Sequence, residues 1–421
     1  MSVARLLSVV AAIAVAALSV VACTTDDGAN GKSPPVALPD AGTSESGPSG
    51  GGCLATFAAP SQNPGDGAIL FTASGEVLAL GGYDFPPATP NDVVFVDGWE
   101  VRFARVLVTI DKIRISDNPD KMPTDQSQTD GVVAEVDGPW AIDLHSGGSL
   151  AGKGGTDERA TAVAAIANQN KNGGAAFDTT RRYAFGFDTV AATCAAQNVN
   201  LDDDALRDYA DMIKNGWAVM YVGTATFKGT ACTSSSPTYD FAKLPKVLDF
   251  KLGFASPTTY ANCQNPDDDP AKPFANEEHQ RGILPKAQTF VVAQVTIHTD
   301  HPFWESPLHD SPAHFDPIAS RFVGVDAGTP VATMDDLAGV DFTSFRDKAG
   351  VDLPWRSCVA TYTAKAGTVS FDPRNVPVNP SAQPGVALRD YRDFMTYNQS
   401  TQGHLNSDGL CFVTRNFPSP N

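Results

Sequence analysis

The chain has 421 residues, with 48 acidic against 30 basic side chains and a formal net charge of −18 at pH 7. Because binding to nucleic-acid phosphates depends on Lys and Arg, so acidic a chain is not expected to bind nucleic acid. Charged residues make up only 19% of the sequence, while Gly and Pro are plentiful at 36 and 31. This balance is typical of a loop-rich β protein rather than a helical one.

The N-terminus has the organisation of an export signal. Arg5 precedes an apolar run at residues 6–22, and small residues lead to Cys23. A charged start, an apolar centre and a small-residue end are typical of a secretory signal peptide, and the run is slightly short for a membrane-spanning helix. Residues 20–23 read Val-Val-Ala-Cys, a lipobox pattern, so the segment resembles the signal of bacterial lipoproteins. The resemblance implies cleavage before Cys23, lipidation of Cys23 and, because Thr24 rather than Asp follows, anchoring at the outer membrane.

Composition divides the chain into four segments. After the signal peptide, residues 1–22, the segment 23–52 is rich in Gly, Ser, Pro and Asp, so we expect a flexible tether behind the membrane anchor. The body is predicted as a β-sandwich-like unit at 53–200 and a second β-rich unit at 201–421, with one continuous domain as the alternative. Two pairs of similar short segments, in the same order, suggest a duplication that would make the units related. The sequence does not identify which protein or glycan would be the partner.

Short strand patterns separated by turn residues predict a mainly β fold, with sandwich-like antiparallel sheets and a few short helices. The longest strand pattern, residues 93–115, changes phase after Phe103, which predicts a bulge or a bend. Residues 200–216 are the clearest helix, with an acidic start, an apolar stripe and a closing glycine. Residues 147–171 are interpreted as a Gly-rich entry to an Ala-rich helix, and residues 358–371 as a strand.

Six cysteines follow Cys23. An even number in an exported protein indicates disulfides, and the absence of any CxxC spacing argues against a thiolate metal site. Our pairing hypothesis is that Cys232–Cys263 and Cys358–Cys411 each close a local region. The remaining two cysteines would then form Cys53–Cys194.

Imidazoles and carboxylates are concentrated at residues 290–316, a strand pattern that opens into a loop. Four of the seven histidines of the chain fall here. Neutral imidazole is the commonest protein ligand for zinc or copper, and carboxylates complete such sites. Three histidines are the preferred ligands and three further side chains are candidates for the remaining positions: His298, His301 and His309, then His314, Asp300 and Asp316.

Strand geometry limits this hypothesis. Residues three apart in an ideal strand point to opposite faces, so His298 and His301 converge only where the strand ends. Pro302 is expected to end it. The alternative is an ordered structural loop anchored by aromatic residues such as Trp304. His404 is isolated in sequence and is the weaker candidate for an additional ligand, since a histidine in such a turn is more often structural.

The sequence supports three functions of different classes. The first is a lipid-anchored, exported metal-binding protein for zinc or copper. The second is a surface interaction or polysaccharide-binding β module without a metal, for which the aromatic loop at residues 302–304 would be the contact and an exposed Trp304 the distinguishing observation. The third is a metal-dependent hydrolase or oxidoreductase, which needs an open coordination position. Because the sequence contains no HExxH pattern and the body, residues 53–421, contains no GxSxG elbow, an enzyme is the less favoured interpretation.

Overall fold

The computed structural model describes six segments of the chain, which belong to one compact unit: residues 53–90, 92–267, 277–307, 311–325, 327–372 and 388–417. The predicted lipidation site Cys23, the predicted tether and the predicted ligand His309 lie outside these segments. Within the segments, no helix is both long enough and apolar enough to cross a membrane.

The fold is mainly β with few short helices, which confirms the predicted class. The strands of the described segments are, in chain order, β1 Ala55–Thr56, β2 Ile69–Ser74, β3 Trp99–Ser116, β4 Val132–Val136, β5 Trp140–Asp143, β6 Leu150–Ala151, β7 Arg159–Ile166, β8 Ala184–Thr189, β9 Gln197–Asn198, β10 Val219–Phe227, β11 Thr233–Ser234, β12 Val247–Phe254, β13 Thr258–Ala261, β14 Val291–Ile297, β15 Val331–Thr333, β16 Arg356–Ser357, β17 Gly403–Leu405, β18 Gly409–Leu410 and β19 Phe412–Arg415. The α-helices are α1 Glu76–Gly81, α2 Asp203–Asn215, α3 Asp316–Ala319 and α4 Tyr391–Gln399. Short 3-10 helices span Phe241–Lys243, His301–Phe303, Ser320–Phe322 and Met334–Leu337.

Two large sheets form the sandwich-like body. The larger sheet has the order β1-β9-β5-β3-β10-β12-β15; β4 and β8 also pair with β3, and β13 and β19 extend from β8. The smaller sheet has the order β18-β17-β14-β2-β7-β6, and β11 pairs with β16 separately. In the smaller sheet, β14 runs parallel to β2 and antiparallel to β17. This mixed pairing places the ends of three distant chain segments together.

The two sheets meet across a shared hydrophobic core. The ring of Phe71 on β2 stacks on that of Phe185 on β8, with centroids 6.0 Å apart. Val295 of β14 joins the same buried cluster. Because side chains alternate along a strand, the opposite face of β14 carries Thr296 and leads to His298. The core therefore fixes the strand from which the histidine segment emerges.

The longest strand and the longest helix both follow their sequence signals. Strand β3 is 18 residues long. Its register with β10 shifts where Val222 faces Arg105 and Gly223 faces Phe103, and the intervening residue of β3 is the predicted bulge. Helix α2 begins after Asp202, whose carboxylate accepts a hydrogen bond from a backbone N–H of the first turn, and ends at Gly216 in the left-handed conformation.

Two predicted elements are wrong. The Ala-rich part of 147–171 is strand β7, which pairs antiparallel with β2. Its small side chains, such as Ala160 and Ala164, are buried in the sheet, and this tertiary burial overrides the helix preference of alanine. The predicted strand at 358–371 consists of turns, bends and irregular backbone, with one isolated antiparallel bridge between Thr368 and Pro354.

Three disulfides link the six cysteines of the body. The predicted Cys53–Cys194 bond is confirmed. The predicted pairs Cys232–Cys263 and Cys358–Cys411 are wrong, because the bonds are Cys232–Cys358 and Cys263–Cys411. Strand pairing explains the exchange: β11 pairs with β16 beside the first bond, and β13 pairs with β19 beside the second.

Candidate metal centre

A turn at the end of β14 brings two histidines and an aspartate together. The strand ends at Ile297, and a 3-10 helix begins at His301. Because the strand stops before His298, strand geometry no longer forces the two imidazoles apart. One ligand atom each from His298, Asp300 and His301 all lie within 4.8 Å of one another. The turn thus assembles three of the side chains that the sequence pattern selected.

The hydrogen bonds of His301 define which of its nitrogens carries the proton. The imidazole is buried, and its Nδ1 lies 2.8 Å from Oγ1 of Thr401. That hydroxyl donates its one proton to the carbonyl oxygen of Asn398 at 2.7 Å. Thr401 therefore accepts from His301, so Nδ1 is protonated. The neutral imidazole then has its lone pair on Nε2, which is the nitrogen suited to a metal.

Trp304 orients two members of the group. Its indole Nε1–H donates to Oδ2 of Asp300 at 3.0 Å, and its ring stacks on His301 with centroids 3.8 Å apart. The side chain is buried, with 5% of Trp304 exposed. Trp304 is therefore not the exposed aromatic contact that the polysaccharide-binding hypothesis assigned to it. Its position instead supports the carboxylate and the imidazole.

Two buried tyrosines hold the backbone of this turn. The hydroxyl of Tyr221, on β10 of the larger sheet, lies 3.1 Å from the carbonyl oxygen of His298 and 2.9 Å from Oε1 of Gln402. The hydroxyl of Tyr83, which pairs with Val101 of β3, lies 2.7 Å from Oγ1 of Thr299. Burial raises the pKa of both phenols well above their ordinary value, so that both stay protonated. The turn is therefore fastened to the opposite sheet.

Two flanking side chains come from distant parts of the sequence. The parallel strands β2 and β14 pair with Ser74 opposite Thr296, so their carboxyl ends lie side by side. Beyond those ends, Oε1 of Glu76 lies 3.4 Å from Nε2 of His298. On the other side, His404 of β17 lies opposite Thr296, and its ring centroid is 4.5 Å from that of His298.

Glu76 sits in a strained and acidic environment. Its φ of 61° lies in the left-handed region, which non-glycine residues rarely adopt, and such strain clusters at functional sites. Burial raises the pKa of Glu76, His298 opposes the rise, and Glu158, Asp300 and Asp408 add to it. The side chains of Glu76 and His298 remain 19% and 17% exposed, so this side of the group lies near the protein surface. The surrounding carboxylates favour a cation here.

His314 and Asp316 take part in a separate polar cluster. Nε2 of His314 lies 3.2 Å from Oε2 of Glu305. The carboxylate of Asp316 accepts a hydrogen bond from the indole of Trp99 at 2.8 Å and forms a buried ion pair with Arg356. The structure does not bring these two candidate ligands to the group around His298, and their contacts are those of structural residues.

Asp97 lies between the two members of that cluster. Its Oδ2 accepts the backbone N–H groups of Phe315 and Asp316, and Nδ1 of His314 lies 4.0 Å away. Burial, followed by the charge of Asp316, raises the pKa of Asp97 to about 7, while His314 and Arg356 oppose the rise. Asp97 therefore holds the start of helix α3 rather than a ligand position.

The donors assembled at the turn are two imidazoles and one carboxylate. Such donors suit a divalent transition metal, and three protein ligands leave coordination positions open.

Comparison of the chain with protein-family models, with curated proteins and with solved structures finds no match.

Proposed function

We propose that this protein is an exported, lipid-anchored protein that binds zinc or copper through His298, Asp300 and His301. The observation that carries the proposal is the convergence of one ligand atom from each within 4.8 Å. Nδ1 of His301 donates to the hydroxyl of Thr401, and metal-ligating histidines generally donate their second ring N–H to a hydrogen-bond acceptor. The signal pattern ending at Cys23 supports export and anchoring at the outer membrane, and three disulfides suit an oxidising compartment.

The available donors favour this choice of metals. The six cysteines of the body are all engaged in disulfides, so the site has imidazole and carboxylate rather than thiolate ligands. Imidazole with carboxylate suits zinc and copper(II), whereas copper(I) prefers sulfur. Glu76, in contact with His298, offers a further carboxylate on the solvent side. The proposed role is capture or buffering of the ion outside the cytoplasm.

Metal analysis of protein purified without chelator tests the site. The unaltered protein is expected to retain about one equivalent of zinc or copper, as a single mononuclear site would. The double variant His298→Ala/His301→Ala is expected to retain none. His279→Ala removes a half-buried imidazole outside the group and serves as the matched control, with its metal content unchanged. Substoichiometric metal in all three proteins would refute the proposal.

Titration of the metal-free protein with zinc or copper measures how much Trp304 contributes to the affinity for the metal. Trp304→Phe keeps an aromatic ring beside His301 but deletes the N–H that holds Asp300. Loss of such a supporting hydrogen bond typically weakens metal binding by about 10–100-fold. Trp217→Phe, at a tryptophan that follows helix α2 and lies outside the group, is the control. Equal affinities for the Trp304→Phe and unaltered proteins would contradict the supporting role of the indole.

Lipid anchoring is tested independently of the metal. Cells that express the full chain and are fed labelled palmitate are expected to incorporate label into the protein. Cys23→Ser removes the sulfur that the lipobox pattern identifies as the attachment point, so the label is expected to disappear. Labelling that persists in Cys23→Ser would rule out this anchor while leaving the metal experiment unaffected.

A further inference from the structure

Trp217 differs from the other tryptophans of the chain. The chain has five tryptophans, four of which are buried, whereas Trp217 is half-buried. It directly follows Gly216, the residue that ends α2. A Cβ added to Gly253 of β12 would lie 2.1 Å from atoms of the indole ring. The glycine therefore allows the indole to rest directly on the backbone of the larger sheet, with part of its surface left to solvent.

The indole forms one wall of an open cavity of about 340 Å³, which we call the Trp217 cleft. Met334 and Phe417 add apolar surface to this wall. The volume is at the lower end of the range of about 300–1,000 Å³ that small-molecule sites occupy. The Trp217 cleft thus has the size for one or two small rings rather than for a protein surface.

The remaining walls carry planar charged groups in balanced numbers. Nε and Nη2 of Arg389 lie 2.8 and 3.2 Å from the two carboxylate oxygens of Asp393. Nη1 of Arg392 lies 3.8 Å from Oδ1 of Asp335, whose side chain is 96% exposed. Two guanidinium groups and two carboxylates give the cleft no net charge. A strongly anionic or cationic ligand therefore finds no excess of the opposite charge.

We propose that the Trp217 cleft binds a neutral carbohydrate. A sugar ring has an apolar C–H face that packs on an indole, and its rim of hydroxyls both donates and accepts hydrogen bonds. Guanidinium groups supply donors and carboxylates supply acceptors, and both are planar groups able to engage neighbouring hydroxyls. An apolar wall with a few convergent polar groups is the general form of a small-ligand site. The cleft shares no residue with the proposed metal ligands, so the two proposals stand independently.

Affinity gel electrophoresis in the presence of soluble polysaccharides tests the cleft. The probes are the neutral polymers laminarin, dextran, galactomannan and xylan, with polygalacturonate as the acidic comparison. The unaltered protein is expected to be retarded by at least one neutral polymer, and added EDTA is expected to leave the retardation unchanged. Trp217→Ala is expected to weaken binding about tenfold, the effect of losing one aromatic packing partner.

A second pair of variants keeps the test valid if Trp217→Ala also lowers stability. Asp335→Asn alters a side chain that is almost fully exposed and is expected to weaken binding several-fold without affecting the fold. Asp352→Asn, at a 60% exposed aspartate paired with Arg346, is the matched control and is expected to bind normally. The proposal is overturned if no neutral polymer retards the protein, if only polygalacturonate does, or if both cleft variants bind like the control.

Discussion

Replacing Arg356 by methionine is expected to lower the free energy of unfolding by about 3–5 kcal/mol. This is the usual cost of removing one partner of a buried ion pair and leaving the other charge unpaired. The side chains of Arg356 and Asp316 are only 5% and 3% exposed. The guanidinium lies over the rings of Phe227 and Phe241, at 4.1 and 4.5 Å from their centroids. Methionine fills much of the same apolar space, so the loss reports mainly the uncompensated charge of Asp316.

The size of this loss is measured by denaturant unfolding against a matched control. Arg346→Met breaks a 2.9 Å ion pair with Asp352 whose partners are 66% and 60% exposed, and exposed pairs contribute little. Adding Asp316→Asn to Arg356→Met removes the buried charge and is expected to recover part of the stability. If Arg356→Met costs no more than Arg346→Met, the buried pair does not stabilise the fold as we describe.

Removing the Cys263–Cys411 disulfide is expected to lower the free energy of unfolding by about 2–5 kcal/mol. The two cysteines are 148 residues apart in sequence, so the bond restricts a long loop in the unfolded chain. Both residues are also buried at the pairing of β13 with β19. The double variant Cys263→Ala/Cys411→Ala, followed by denaturant unfolding under oxidising conditions, measures the effect. An unchanged unfolding midpoint would contradict it.

Alkylation of a single variant distinguishes the observed pairing from the one predicted from sequence. In Cys263→Ala, the structure leaves the thiol of Cys411 without its disulfide partner. Iodoacetamide under mild denaturation is therefore expected to label Cys411. Labelling of Cys232 instead would support the Cys232–Cys263 pairing that was predicted from the sequence.

Signals confined to one segment predicted the fold well. The phase change after Phe103 located the bulge of β3, because a bulge reverses the inward and outward alternation within a single strand. The acidic start and final glycine located α2, because capping acts within one turn of the helix end. Strand β7 was missed because its alanines are selected by burial in a sheet whose other strands lie elsewhere in the sequence.

In the candidate site too, residues close in sequence were predictable and residues brought in by strand pairing were not. His298, Asp300 and His301 lie within four residues, so their spacing pointed to a shared site once the strand ended. Glu76 carried no signal, because its position beside His298 depends on the parallel pairing of β2 with β14. His404 was visible only as an isolated histidine in a turn. His314 shared the composition of the cluster but belongs to the contacts of Glu305.

The tyrosine contacts of the proposed metal-binding turn would link its occupancy to the packing of the two sheets. Tyr221 and Tyr83 reach from the larger sheet to His298 and Thr299, which extend from the smaller one. Where an ion binds more tightly to the assembled sandwich than to separated layers, thermodynamic reciprocity requires the ion to strengthen the assembly by the same factor. If the proposed ion binds, its affinity would be set partly by residues that never touch it, and metal loading would reversibly stabilise the packing of the two sheets.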